Sequence, residues 1–264
     1  MQLSGNTILI TGGGSGIGRG LAEAFHAEGN QVIIAGRRKQ QLESTIAANP
    51  GMKALQLDVA DRASVRALAE RIKHEFPTLN VIIHNAAIMK MESVASGDTG
   101  TAEETVNINL LGPMRLNAML LPALVNQRHP VIMTVTSGLA FVPVFFAPTY
   151  CATKAAVHSY TQSLRYQLKD TPVQVIELIP PYVQTELLSP EQATDPNAMP
   201  LDDFIAEVMQ ILKTSPGSTE VCVERVKPLR FAEASGNYGA CFTQRNDSAR
   251  ARYKFEIELP ASGE

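Results

Sequence analysis

Tyr150 and Lys154 stand one helical turn apart, a spacing that brings a phenol and an ammonium to one helix face. An unperturbed tyrosine titrates near pH ~10 and is only a moderate acid at neutrality. A nearby cation favours its ionised form. Lowering the pKa by about three units takes roughly 4 kcal/mol, which one close cation in a partly dry cleft supplies. Such a group works as a general acid or base at physiological pH. Tyr-x-x-x-Lys also recurs on plain surface helices, so its surroundings decide. Thr134-Val135-Thr136-Ser137 ends an apolar run with a hydroxyl, at the sheet edge where open α/β proteins hold ligands. Ser137 would donate to an oxygen as charge builds on it; the bland alternative is a turn cap.

A second group of residues lies near the start. Behind the apolar run Thr7 to Ile10, glycines at 12, 16 and 18 let the chain turn tightly, bring amides near a phosphate and pack a helix on a sheet. The helix starting near Ile17 would face a pyrophosphate with its positive end, an interaction of order 1 kcal/mol. Tight turns need glycine without any ligand too. The second apolar run ends Ala35-Gly36-Arg37-Arg38-Lys39, with no carboxylate until Glu43. An acid there would accept from a ribose 2′-hydroxyl, whereas arginine grips a 2′-phosphate, so Arg37 favours NADP over NAD. Asn109 falls inside a helical stretch, where a buried asparagine implies a disturbed ladder or a water-linked polar network; Asn107 competes with it.

Positioning these groups requires a sheet. Thr7 to Ile10, Val32 to Ala35, Ala54 to Leu57, Val81 to Ile83, Val131 to Val135 and Val173 to Leu178 are short continuous apolar runs, the pattern of strands buried on both faces. Amphipathic stretches alternate with them: Ile17 to Glu28, Gln40 to Ala48, Ala63 to Glu75, Ala102 to Leu124 and Tyr150 to Leu168. Right-handed crossovers then give a single-domain α/β Rossmann-type doubly wound parallel sheet of about seven strands, helices on both faces, the seventh strand near Val221 to Val223. Five prolines between Pro180 and Pro200 mark a long loop, read as a substrate cover, before a helix over Leu201 to Leu212. The domain is placed at 1–238. Residues 239–264 read as a loosely ordered extension, with strand-like alternation at Phe255, Ile257 and Leu259.

Net charge −3 and a pI near 6 exclude a field that would hold nucleic acid. Cys151, Cys222 and Cys241 form no CxxC pair and imply reduced thiols; the five histidines lack metal-ligand spacing. No signal segment and no apolar window of about 18 residues is present, so a cytoplasmic protein with no membrane partner is expected.

Over roughly Asn6 to Arg230 these residues resemble the short-chain dehydrogenase/reductase family. Thr11 to Gly18, including Ser15 and Ile17, is similar to its nucleotide turn, Asp58-Val59 to its adenine-contacting pair and Asn85-Ala86-Ala87 to its fourth-strand motif. Asn109, Ser137, Tyr150 and Lys154 match its catalytic tetrad. The resemblance implies Tyr150 as general acid, Lys154 on the nicotinamide ribose, Ser137 orienting the carbonyl, and Asn109 holding a water that links Lys154 to solvent. Val183 and Thr185 align with the segment that grips the carboxamide. Ala87 stands where glycine is usual, tolerable if φ is negative, and Pro180-Pro181 replaces Pro-Gly, removing an amide. The double proline, Ser137 to Pro143 and Met199 to Asp202 resemble a bacterial subgroup named for D-alanine esterification of teichoic acid. The family implies a homodimer or homotetramer through the helices at 102–124 and 150–168.

The expected activity is NADP(H)-dependent reduction of a carbonyl, or oxidation of an alcohol, on a small or medium substrate. Phe141, Val142, Val144, Phe145 and Phe146, with Leu187 and Leu188, would equally serve an apolar pocket, a core or a subunit contact. The alternatives are a non-catalytic NADPH-binding sensor, which has no need of the Tyr-Lys pair, and epimerase or dehydratase chemistry on a nucleotide sugar.

Overall fold

In the computed structural model, which describes residues 1–253, seven apolar runs form seven parallel strands: β1 (Thr7–Thr11), β2 (Gln31–Gly36), β3 (Lys53–Gln56), β4 (Val81–His84), β5 (Val131–Val135), β6 (Gln174–Ile179) and β7 (Glu220–Cys222). They lie in the order β3-β2-β1-β4-β5-β6-β7. Every residue of β1, β4 and β5 is buried, the consequence of helices covering both faces of a parallel sheet. The order reverses between β1 and β4, opening a crevice at the carboxyl ends of the strands.

Alternate residues of each strand feed two cores. Ile10, Ile34, Ile83 and Met133 meet Leu21 and Phe25 of α1 (Gly16–Ala27) and Phe204 of α7 (Leu201–Thr214). Leu9, Ile33, Ile82 and Ile132 meet α3 (Arg62–Glu75), α5 (Gly112–Leu124) and α6 (Pro148–Gln167). Between β2 and β3 runs α2 (Lys39–Ala48), and α4 (Gly100–Val106) precedes α5. The chain then adds α8 (Lys227–Arg230) and α9 (Tyr238–Arg252).

The helix expected over 102–124 is not uniform. A π turn at Asn107–Leu111 joins α4 to α5, with the Gly112 amide donating to the Asn107 carbonyl. Pro113 follows, and having no N–H it cannot close an ordinary bond to the Asn109 carbonyl. The disturbed ladder anticipated from the buried asparagine is this turn. The Pro180–Pro200 loop is tied to itself by a 3₁₀ turn at Pro190–Thr194, a bridge between Val183 and Met199, and the buried Gln192 amide donating to the Val183 carbonyl at 2.8 Å.

The extension departs from expectation. Residues 239–252 continue α9 and pack on the body of the protein through Asn246 and Ala249. The Asn246 Oδ1 accepts from the Phe145 amide at 2.7 Å, and its Nδ2 donates to the Pro143 carbonyl at 3.1 Å. A polar anchor replaces an apolar stripe, so hydrophobic periodicity carries no trace of the docking. The alternation at Phe255, Ile257 and Leu259 lies outside the described residues. Among the described residues no helix is long and apolar enough to cross a membrane.

Candidate active site

The glycine turn is held by sterics. Gly12 has φ +69°, a left-handed conformation, and its amide donates to the Ala35 carbonyl at 2.7 Å. At Gly18 a Cβ would stand 2.3 Å from the Gly12 carbonyl oxygen and 2.3 Å from Asn85 Nδ2, so helix and turn meet closer than any side chain permits. Asn85 fastens the end of β4 to this turn, its Nδ2 donating to the carbonyls of Thr11 at 3.0 Å and Gly12 at 3.3 Å. The Thr11 hydroxyl accepts from the Asn85 and Ala86 amides at 3.0 and 3.1 Å. Helix α1 begins at Gly16, one residue before the expected start, and Ser15 at its N-cap makes no side-chain cap. Its first amides stay available to an anion.

Gly12, Ser15, Gly16 and Ile17 line a cleft of about 1310 Å³. Arg37, Val59, Asn85 and Ala86 line the same cleft. Two expected cofactor residues do not: Gly18 packs beneath the turn, and the Asp58 carboxylate accepts from the Ala60 amide at 2.9 Å. Arg37 is half exposed and faces the Glu104 carboxylate at 4.0 Å. Its neighbour Arg38, absent from the expected set, donates from Nη2 to Ser15 Oγ at 2.8 Å and also lines the cleft. The run Arg37-Arg38-Lys39 held the signal, but not which cation folds back onto the turn. Ala87 meets its condition, since His129 alone among the described non-glycine residues has positive φ.

At the carboxyl ends of β5 and β6, the cleft meets Ser137, Tyr150 and Lys154. Tyr150 and Lys154 share the buried face of α6, and Lys154 Nζ lies 5.6 Å from the centre of the phenol ring. The ammonium donates to the Val135 carbonyl at 2.8 Å. Burial pulls Lys154 down to about 8, leaving it mostly protonated at neutral pH. The phenol differs from expectation: burial raises its pKa, and the Ser137 hydroxyl beside it offsets only part of that rise. A dry cleft penalises the phenolate more than one cation, itself engaged by a carbonyl, favours it. Asn109 is buried outside the cleft, its amide accepting from the Ile88 amide and donating to the Ile88 carbonyl, both at 2.9 Å. Asn107 instead accepts from Arg115 Nη2 at 3.1 Å.

The far wall comes from late in the chain. Val183, Thr185, Leu187 and Leu188 of the long loop face the cleft, and Thr185 approaches Gly16 closely. Val144 and Phe146 line it as well, whereas Phe141 packs on His158 and Val142 joins Leu229 in a separate core. The apolar run after Ser137 thus divides between pocket and core. Sequence reasoning missed α9, which contributes Cys241, Arg245, Ser248 and Ala249 to the wall. The Asp195 carboxylate joins this helix to the loop, accepting from Tyr182 Oη at 2.9 Å and Arg252 Nη1 at 2.6 Å. The space exceeds what one drug-sized ligand fills.

Comparison with known proteins shows the family to which the chain belongs. A Bacillus subtilis (strain 168) protein named as the uncharacterized oxidoreductase DltE is 39% identical over 251 residues, spanning 93% of this chain and 98% of that protein. An uncharacterized oxidoreductase of Staphylococcus aureus (strain USA300) is 28% identical over 229 residues, 86% of this chain and 99% of the other. Among solved structures, a Brucella melitensis 3-ketoacyl-(acyl-carrier-protein) reductase complexed with NADH superposes with a TM-score of 0.76 at 26% identity, covering 85% of this chain and 100% of that one. A short-chain dehydrogenase of Sphingobium yanoikuyae in complex with NADPH shares the fold, with a TM-score of 0.76 at 23% identity over 90% of this chain and 95% of its own. The short chain dehydrogenase family model matches residues 6–196, and the chain is a member of that family of oxidoreductases.

Proposed function

We propose that the protein is an NADP(H)-dependent carbonyl reductase, reversible as an alcohol dehydrogenase, with Tyr150 as its proton donor. The observation that carries the reading is one continuous cleft bordered at one end by the glycine turn and the free amides of α1, and at the other by Ser137, Tyr150 and Lys154. The cradle fits a dinucleotide because Gly12 and Gly18 let the turn, α1 and Asn85 pack too closely for any Cβ, which sets the start of α1 against the cleft. Gly12, Ser15, Gly16 and Ile17 would hold the pyrophosphate, Val59, Asn85 and Ala86 the adenosine side, and Lys154, Val183 and Thr185 the nicotinamide side. Bound there, a nicotinamide dinucleotide supplies or accepts a hydride, and its oxidised form carries positive charge.

The chain's own residues manage the proton. Ser137 Oγ donates to the carbonyl oxygen and sets its distance from Tyr150. The phenol then gives its proton to that oxygen, and the Lys154 ammonium stabilises the phenolate left behind. The raised pKa of the phenol in this state keeps the donor protonated until cationic charge enters the cleft. Asn109 fixes the Ile88 segment beside the π turn and also donates to Thr153 Oγ1 at 3.3 Å, so it braces α6. Arg37 and Arg38, with no nearby acid on β2, favour a 2′-phosphate. We read the protein as a cytoplasmic homo-oligomer whose Cys151, Cys222 and Cys241 are free thiols.

The test follows NADPH absorbance over a panel of ketones and aldehydes. Wild type should reduce some of them, Tyr150→Phe should lose at least about a thousandfold in kcat while binding NADPH normally, and NADPH should bind more tightly than NADH in wild type but not in Arg37→Ala. Equal turnover by wild type and Tyr150→Phe would falsify the role of the phenol. NADPH binding without turnover of any carbonyl would instead favour a sensor.

A further inference from the structure

We propose that Arg245 forms an anion-binding subsite at the substrate end of the cleft, so that the natural substrate carries a carboxylate, or an anion of like geometry, beside its carbonyl. The proposal deepens the reductase reading and rests on it for the position of the carbonyl.

Arg245 sits on α9 one turn after Cys241 and one turn before Ala249, and all three face the cleft that holds Tyr150. Its Nε is buried without a hydrogen-bond partner, and among the described residues no carboxylate pairs with it. The other arginines lining the cleft are engaged. Arg19 binds Glu23, Arg37 faces Glu104, Arg38 binds Ser15, and Arg252 binds Asp195. Glu92, whose charge like that of Arg245 is felt at Cys151, is committed to Thr149, accepting from its amide at 2.7 Å and its hydroxyl at 2.8 Å.

A half-buried guanidinium without a counterion is costly, and arginine does not relieve that cost by losing its proton. Burial does lower its pKa, and its charge is felt at Cys151, the residue next to Tyr150. A ligand carboxylate entering the cleft would meet a guanidinium that no carboxylate among the described residues neutralises. At Ala249, one turn further along α9, the wall is apolar, with Val144, Phe146, Leu139 and Leu188 packed together. The substrate shape that follows is an apolar body with a carbonyl at Tyr150 and an anion at Arg245.

The test titrates the full chain by calorimetry, with and without NADP⁺, using methyl ketones of increasing chain length that end in a carboxylate and the matching primary amides. At the best length the carboxylate should bind about tenfold or more tightly than its amide. Arg245→Gln should remove that preference and Arg245→Lys should retain part of it, with circular dichroism unchanged. Should Arg245→Gln fail to fold, Arg245→Lys carries the test: it must narrow the carboxylate-to-amide ratio. Equal binding of acid and amide by wild type, no binding of any carboxylate, or a preference that survives Arg245→Gln or is unchanged in Arg245→Lys overturns the subsite. A carboxylate preference without reduction of any ketone sinks the reductase reading and leaves the subsite standing.

Discussion

The two walls of the cleft are built by different physics. On the β1–β2 side the surface is backbone: Gly12 in a left-handed turn, Gly18 touching it, and carbonyls of Thr11 and Gly12 stapled by Asn85. On the far side it is side chains from the 180–200 loop and α9, held by polar contacts such as Asn246 to the 143–145 segment and Arg252 to Asp195. The first wall permits almost no substitution. The second can change its lining without disturbing the sheet, which is how one fold keeps a coenzyme site while its substrates vary.

That contrast can be broken experimentally, and the largest effect is expected at Gly18. Helix propensity alone would favour alanine there by about 1 kcal/mol. The 2.3 Å contact with the Gly12 carbonyl reverses the sign, and Gly18→Ala should cost about 3 kcal/mol, lower the melting temperature by roughly 8 °C and abolish dinucleotide binding. A Gly18→Ala protein that melts and binds like wild type would show the cradle to be soft.

The second effect tests the sheet that carries the rigid wall. His84 at the end of β4 is buried with its Nε2 2.7 Å from Asn117 Oδ1, and burial lowers its pKa to about 4 from 6.5. Between those values the unfolded chain binds a proton that the native protein does not. Stability is therefore retained above pH 6.5 and lost on acidification towards 4, by about 3 kcal/mol. Denaturant midpoints across that range should show the slope, and His84→Gln should flatten it. A slope unaltered in the variant would place the proton uptake elsewhere.

The smallest effect belongs to the soft wall. Asn246→Ala removes the bonds that this side chain makes to the Phe145 amide and the Pro143 carbonyl and should cost about 1–3 kcal/mol locally. Amide exchange should quicken in 143–146 and 238–252, with coenzyme affinity unchanged. Loss of coenzyme binding in this variant would mean that the walls are not independent.

The same division explains what was legible in the sequence. Strand positions were readable because a sheet covered on both faces demands uninterrupted apolar runs such as Val131 to Val135. The turn at 11–18 was readable because its glycines answer to local sterics. Tyr150 and Lys154 were placed correctly on one face, but the direction of the phenol's pKa was not, because burial depends on segments that approach from 144–146 and 180–188. Helix α9 was illegible for a related reason. It docks through Asn246, whose partners lie about one hundred residues earlier, and no periodic pattern reports such a bond.

The clasp between Asp195 and Arg252 ties the 180–200 loop to α9 by charge. It is a solvent-accessible ion pair, with side chains 13% and 37% exposed, and pairs of this kind contribute on the order of 1 kcal/mol or less. Thermal motion at ordinary temperature suffices to part it, and dissolved salt weakens it further. Raising the ionic strength should therefore loosen the tie between the 180–200 loop and α9 while leaving the apolar sheet beneath it unaffected.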